Sequence, residues 1–310
     1  MNNVIRHVIK KPLNMLFIFM NIFSQFCFST EPITVPLNKG PDFLILGGVK
    51  CGTTSLFHYL KEHPNIRVGK QKELNFFNKH FEKSTYTKGI EWYLAQFPQK
   101  NLDSDFFLTG EGTPGYLAGS EIQEISSLFP KIKLIILLRN PIDRALSSYK
   151  MRIRQNEEQD TRLIEELFTE KLINFRSTTV SEWDPYIYEG VYVSLIRSWR
   201  KFYPDNQLLI ICSEELFANP NKVVNDVFAF LELPTFDLKK YKIFNKEPNN
   251  EITLPSDLRE RMLEFYAPYN QELQILLRNE MHIDIDLAFF GWDVNAEPET
   301  ENIHILEDLK

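Results

Sequence analysis

The stretch Pro41–Leu60, PDFLILGGVKCGTTSLFHYL, constrains this chain more than any other: an apolar strand runs into a glycine-threonine turn and then a helix. Asp42–Leu46 has the composition of a buried strand, and Gly47, Gly48 and Gly52 let the backbone turn tightly and approach an anion closely. Such an anion meets the amides that open the next helix, where unpaired N–H groups and the helix dipole both favour negative charge. The stretch therefore reads as a phosphate-binding loop; the plainer alternative is an ordinary strand-turn-helix of an α/β protein. Its departure from the nucleoside-triphosphate pattern G-x-x-x-x-G-K-[ST] is informative. Gly47 and Gly52 keep the spacing, but Thr53 stands where the lysine belongs, and the lysine of this loop is Lys50. A cation is thereby placed beside a bound phosphate without the Lys–Ser/Thr pair that accompanies magnesium in an ATPase.

The rest of the pattern supplies a sheet for that loop. Helices are expected over Thr53–Glu62 and Ile90–Phe97, then a short strand over Phe106–Thr109 ending in Gly110-Glu111. Ile132–Leu138, IKLIILL, is the strongest strand signal, because a near-continuous apolar run suits a parallel sheet covered on both faces. Leu208–Ile211 is the fourth strand, and further helices fit Ser120–Phe129, Ile142–Arg154, Thr161–Lys171, Val191–Phe202, Asn221–Leu231 and Ser256–Leu277. Strands alternating with helices predict an α/β fold, a central, doubly wound parallel sheet with helices on both faces and ligands at the carboxyl ends of its strands.

Composition bounds the partners. A chain of 310 residues, 43% hydrophobic and 25% charged, can bury one sizeable core. A net charge of -7 argues against nucleic acid as a partner, so an anionic ligand must be held by a local cluster. The three cysteines, Cys27, Cys51 and Cys212, give no disulfide framework, and the six scattered histidines give no metal-ligand spacing; no metal is expected.

The ends differ from the middle. In residues 1–40, Arg6, Lys10 and Lys11 precede the apolar run Leu13–Phe28, which is interrupted by Asn14, Asn21, Ser24 and Gln25 and falls short of the roughly 20 residues a bilayer span needs. It reads as a cleaved signal peptide or a short uncleaved anchor, which implies a membrane-anchored or secretory-pathway protein. An amphiphilic helix on a cytoplasmic protein is the alternative. Residues 41–293 form the main domain, and the acidic tail 294–310 is expected to be loosely ordered.

Three further constellations bear on chemistry. In LLRNPIDRALSSYK, Arg139 ends the strongest strand and Ser147 sits about two turns into the helix that Pro141 opens, so a guanidinium fork and a hydroxyl can converge on one anion. In VGKQKELNFFN, Lys70, Lys72 and Glu73 precede Phe76-Phe77; a carboxylate at the mouth of an anion site can act as a general base, although such a pair is more often a solvated one. Gly110–Tyr116, GEGTPGY, is a strand-end loop able to line the same crevice, or a plain turn.

Together these segments resemble the sulfotransferase superfamily, specifically the carbohydrate branch that includes the heparan sulfate 3-O-sulfotransferases and the N-sulfotransferase domain. The resemblance runs from Pro41 to about Asp293 through GGVKCGTTSL, KELNFF, EGTPGY, LIILLRNPIDRALSSY, YEGVYVSLIRSWRKFYPDNQLLIICSEEL, FYAPYNQEL and FFGWD. It implies the P-loop-like sulfotransferase fold and a donor, 3′-phosphoadenosine 5′-phosphosulfate. The 5′-phosphosulfate would lie against Lys50, Cys51, Gly52, Thr53, Thr54 and Ser55, and the 3′-phosphate against Arg139 and Ser147. Glu73 would take the acceptor proton and Lys50 would stabilise the leaving group, with no magnesium. A hydroxyl or amine of a carbohydrate is the implied acceptor, and Lys72, Asn75, Glu111 and Thr113 are the residues expected beside it. Departures fall on that side: Asn75 and Gly112 stand where the 3-O enzymes carry a histidine and a lysine, and the cysteine pair and basic K-G-R loop are missing, with Lys246 the obvious cation left. An inactive nucleotide- or glycan-binding relative and, less readily, a nucleotide kinase are the alternative readings.

Overall fold

The computed structural model describes residues 35, 39–69, 71–100, 106–155, 163–175, 184, 186–244 and 252–292. Four strands, β1 (Phe43–Gly47), β2 (Gly110–Gly112), β3 (Lys133–Leu138) and β4 (Leu208–Cys212), form a parallel sheet in the order β2-β1-β3-β4. The helices that flank it are α1 (Thr53–Leu60), α2 (Ile90–Leu94), α3 (Tyr116–Gly119), α4 (Ile122–Leu128), α5 (Pro141–Arg154), α6 (Ile164–Asn174), α7 (Tyr192–Arg200), α8 (Ser213–Ala218), α9 (Pro220–Phe230) and α10 (Ser256–Ile275), the last closed by a π-helical turn over Leu276–Glu280. Every residue of β1 is buried, as are Leu134–Leu138 of β3, which is why these runs are continuously apolar rather than alternating. The N-terminal run 13–28, the tail 294–310, Lys70 and Lys246 lie outside the described residues.

The expected strand at Phe106–Thr109 is displaced, with a clear cause. Leu108 exchanges backbone hydrogen bonds with Asn65 and Arg67 (2.8 and 2.9 Å), and the Asp42 carboxylate accepts the Thr109 N–H (2.7 Å). The strand that pairs with β1 starts at Gly110, with Leu44 opposite Glu111 and Ile45 opposite Gly112. Glycine is needed at the junction, since a Cβ on Gly110 would lie 2.6 Å from the Phe43 ring. The short α3 and α8 were not expected; each has fewer residues than the two turns a periodic pattern needs to declare itself. The arginines of α7 are paired: Arg197 with Glu272, while Arg200 forks onto Asp205 (2.7 and 3.0 Å) and reaches Glu280 (2.7 Å).

Candidate active site

The turn between β1 and α1 is shaped by its backbone. Gly47, Lys50 and Gly52 take φ of 147°, 65° and 86°. Gly52 is the N-cap of α1 and has no side chain to satisfy the first amides of the helix, while a Cβ there would come 2.8 Å from the Phe217 ring. The first internal bond of α1 runs from the Leu56 N–H to the Gly52 carbonyl (3.1 Å). The amides of Thr53, Thr54 and Ser55 precede that ladder and open toward the turn, the arrangement that suits an anion.

A non-glycine residue in the left-handed region costs roughly 1–2 kcal/mol, so Lys50 must be held. Arg139, at the end of β3, donates from its guanidinium to the Lys50 carbonyl (3.1 Å). The strand-end arginine and the loop lysine, far apart in sequence, are thus brought together. Tyr192 locks the junction: its hydroxyl donates to the Arg139 carbonyl (3.0 Å), accepts the Arg139 N–H (3.3 Å) and lies 3.5 Å from the Cys51 Sγ. Asn140 caps α5, accepting from the Ile142 and Asp143 amides (3.1 and 3.4 Å) and donating to the Gly291 carbonyl (3.0 Å). The FFGW turn is therefore tied to the same corner, with Trp292 5.8 Å from the Tyr192 ring.

The other residues expected at the donor divide. Thr53 is buried and Thr54 half-buried at the start of α1, and Ser147 is buried on the inner face of α5 beside Arg144 and Ser148. Cys51 contributes through its backbone: burial pushes its thiol up to about 11, and its carbonyl accepts the Ser213 hydroxyl (2.6 Å). Ser55 is fully buried, and its Oγ accepts the Phe244 N–H (3.0 Å), which ties its hydroxyl to that backbone while its amide is among the first of the helix.

The second wall is the segment around Glu73, which has neither helix nor strand geometry. Glu73 and Asn75 take φ of 63° and 52°. The Glu73 side chain is 48% exposed and ion-paired with Lys72, itself only 16% exposed. The Asn75 side chain donates to the Glu73 carbonyl (3.0 Å). Nearby on α1, His58 stacks on Phe244 (4.1 Å between centroids), and Lys242 stands 5.4 Å over the same ring.

Glu111 and Thr113 do not line this crevice as expected. Glu111 is 0% exposed, and its carboxylate accepts from the Tyr93 hydroxyl (2.7 Å), the Tyr116 hydroxyl (3.0 Å), the Thr113 hydroxyl (2.9 Å) and the Leu74 amide (3.3 Å). Burial raises the Glu111 pKa, against the pull of those hydrogen bonds. Burial and the Glu111 charge hold both phenols well above their usual range, so they remain donors. Thr113, 1% exposed, accepts the Asn75 amide (3.3 Å), and the Tyr116 hydroxyl accepts those of Phe76 and Phe77 (2.9 and 3.4 Å). With every carboxylate lone pair directed at the protein, Glu111 has nothing to offer an acceptor. Tyr93, Tyr192, Asn140 and Trp292 were not singled out from sequence; the repeated aromatics of EWYL, YEGVY and FFGWD were the available signal.

Among the described residues no cluster of His, Cys, Asp or Glu is placed to hold a metal, and no helix is long and apolar enough to cross a membrane. The chain matches the family model described as "Sulfotransferase domain" over residues 40–275. It is 31% identical over 269 residues to the bifunctional heparan sulfate N-deacetylase/N-sulfotransferase 3 of Homo sapiens, covering 76% of this chain and 30% of that protein. It is 26% identical over 281 residues to the human heparan sulfate glucosamine 3-O-sulfotransferase 3B1, covering 82% of this chain and 65% of the relative. This chain thus spans less than two thirds of either. Among solved structures, a sulfotransferase from Alicyclobacillus acidocaldarius superposes with a TM-score of 0.61 at 28% identity, covering 79% of this chain and 97% of the other.

Proposed function

We propose, from the premise that this chain belongs to the sulfotransferase domain family, that it moves a sulfuryl group from 3′-phosphoadenosine 5′-phosphosulfate to a hydroxyl or amine of a carbohydrate. The observation that carries this reading is the contact between Arg139 and the Lys50 carbonyl, which sets a guanidinium against the glycine turn that carries Lys50 and opens on the helix amides of Thr53–Ser55. That set fits a phosphosulfate: fixed donors and charges stand where an anion binds, and Thr53 replaces the lysine of an ATP loop. The donor supplies an activated sulfur whose bond to the bridging phosphate oxygen is the one that breaks.

The residues divide the work. Glu73, exposed and on the opposite wall, takes the proton as the acceptor oxygen or nitrogen bonds to sulfur. The bridging oxygen keeps the electron pair, and Lys50 stabilises the charge that grows there; Arg139 and Ser147 hold the 3′-phosphate. A monoanionic sulfuryl group carries less charge than a γ-phosphate, so positioning and fixed cations replace a metal. Lys72 and Asn75 remain on the acceptor side, and the stacked pair of His58 and Phe244, with Lys242 over the Phe244 ring, gives that side an aromatic plate beside a cation, suited to a sugar ring. Human relatives named for heparan sulfate favour such an acceptor, and residues 13–28 would deliver the protein to the secretory pathway or its membrane.

Titration with adenosine 3′,5′-bisphosphate, together with labelled sulfate transfer across a panel of glycans, lipids and small alcohols, tests the reading. Binding with product on a glycan is expected; neither binding nor product on any acceptor sinks it, and magnesium-dependent ATP turnover would replace it with a kinase. Glu73→Gln should abolish turnover with donor binding nearly intact.

A further inference from the structure

We propose that Glu111, Thr113 and Tyr116 are positioning residues, a buried template that holds the Glu73 segment at a fixed place relative to the phosphate loop. The inference rests on the reading of Glu73 as the base, and on hydrogen bonds that any ordinary loop would lack. Four consecutive amides, Leu74, Asn75, Phe76 and Phe77, are taken by the side chains of Glu111, Thr113 and Tyr116, two of them by the same phenol oxygen. A strand would satisfy alternate amides on each side with a neighbouring backbone. Here a carboxylate and two hydroxyls substitute for a strand.

The order of donors and acceptors gives the template its direction. Thr113 and Tyr116 each donate inward to Glu111, which leaves their oxygen lone pairs facing the amides of the segment. Remove the carboxylate and the Leu74 amide loses its acceptor directly, while those hydroxyls are free to rotate, so the amides of Asn75, Phe76 and Phe77 lose theirs even though nothing touching them has changed. Glu111 itself stands on β2, directly opposite Leu44 of β1, and β1 runs without interruption into the phosphate loop. Both walls of the crevice are therefore referenced to one strand. The left-handed backbone at Glu73 and Asn75, roughly 1–2 kcal/mol each for non-glycine residues, persists because the amides that follow are pinned. The template grips backbone alone, and this leaves the Glu73 carboxylate outside it, aimed by a fixed φ.

The experiment pairs Thr113→Val, which keeps shape and removes both hydrogen bonds, with Thr113→Ser, which keeps the hydroxyl. Steady-state kinetics and calorimetric binding of adenosine 3′,5′-bisphosphate are measured for each. The valine variant should lose about tenfold or more in kcat while the bisphosphate Kd stays within about twofold, which also certifies that the protein is folded. The serine variant should restore kcat. Loss of bisphosphate affinity in step with kcat, equal impairment by serine and valine, or full kcat in the valine variant each overturns the template. Full turnover in Glu73→Gln alone removes the base assignment instead, and it is read from a variant in which the template is untouched.

Discussion

The two walls of the crevice are held by opposite means. From Phe43 to Leu60 the chain is built on regular backbone, a buried strand, a turn of positive φ and a helix whose first amides are presented outward, with Arg139 and Ser213 bracing the turn through its carbonyls. Around Glu73 there is no regular structure, and the chain is held by side chains projecting from elsewhere, with Glu111 at their centre. The first wall depends above all on its glycines, since Gly47 and Gly52 take positive φ. The second tolerates neither loss of a carboxylate nor loss of a hydroxyl, because each leaves a buried polar group unpaired.

That contrast is sharpest at Glu111. Glu111→Ala would strand three hydroxyls and an amide, and should cost about 3–5 kcal/mol in denaturant unfolding. A loss under about 1 kcal/mol would break the description of that wall. On the other wall, Gly52→Ala meets both a φ of 86° and the Phe217 ring, and should cost about 1–3 kcal/mol with a matching fall in bisphosphate affinity. Unchanged affinity there would show that the turn has room to spare. Arg139→Ala should weaken bisphosphate binding by roughly 1.5–3 kcal/mol, the range for a hydrogen bond to a charged group, with acceptor KM unmoved. Smaller still, Ser55→Ala should lose about 0.5–1.5 kcal/mol of stability through the Phe244 amide, with donor affinity kept. A drop in affinity would return its hydroxyl to the donor site. Cys51 should resist thiol reagents at pH 8 in the folded protein, since burial holds it up at about 11, and mass spectrometry of the labelled peptide would reveal any modification.

The same contrast explains what could be read from the residues beforehand. β1, α1, β3 and α5 announce themselves by apolar runs and by Gly52 and Pro141, because local backbone physics places them. Lys50 and Arg139 could be expected together, since both stand at the carboxyl ends of neighbouring parallel strands. Glu111 could not be placed: a polar residue at a strand end looks like a site residue until Tyr93, from a separate helix, is seen to face it. Phe106–Thr109 had the composition of a strand, yet Asn65, Arg67 and Asp42 claim its backbone first. Tertiary competition of that kind leaves no periodic trace.

The side chains at 73 and 75 point away from a frame that grips only the main chain between them and Phe77. A segment clamped in this way is free to vary its outward residues without renegotiating its fold. Asn75 is such a position, left-handed in backbone and half-exposed. A lineage that kept Glu111, Thr113 and Tyr116 could exchange the residue there in single mutational steps, each compatible with the same backbone course. Evolvability of the outward face would then be a by-product of how its backbone is anchored.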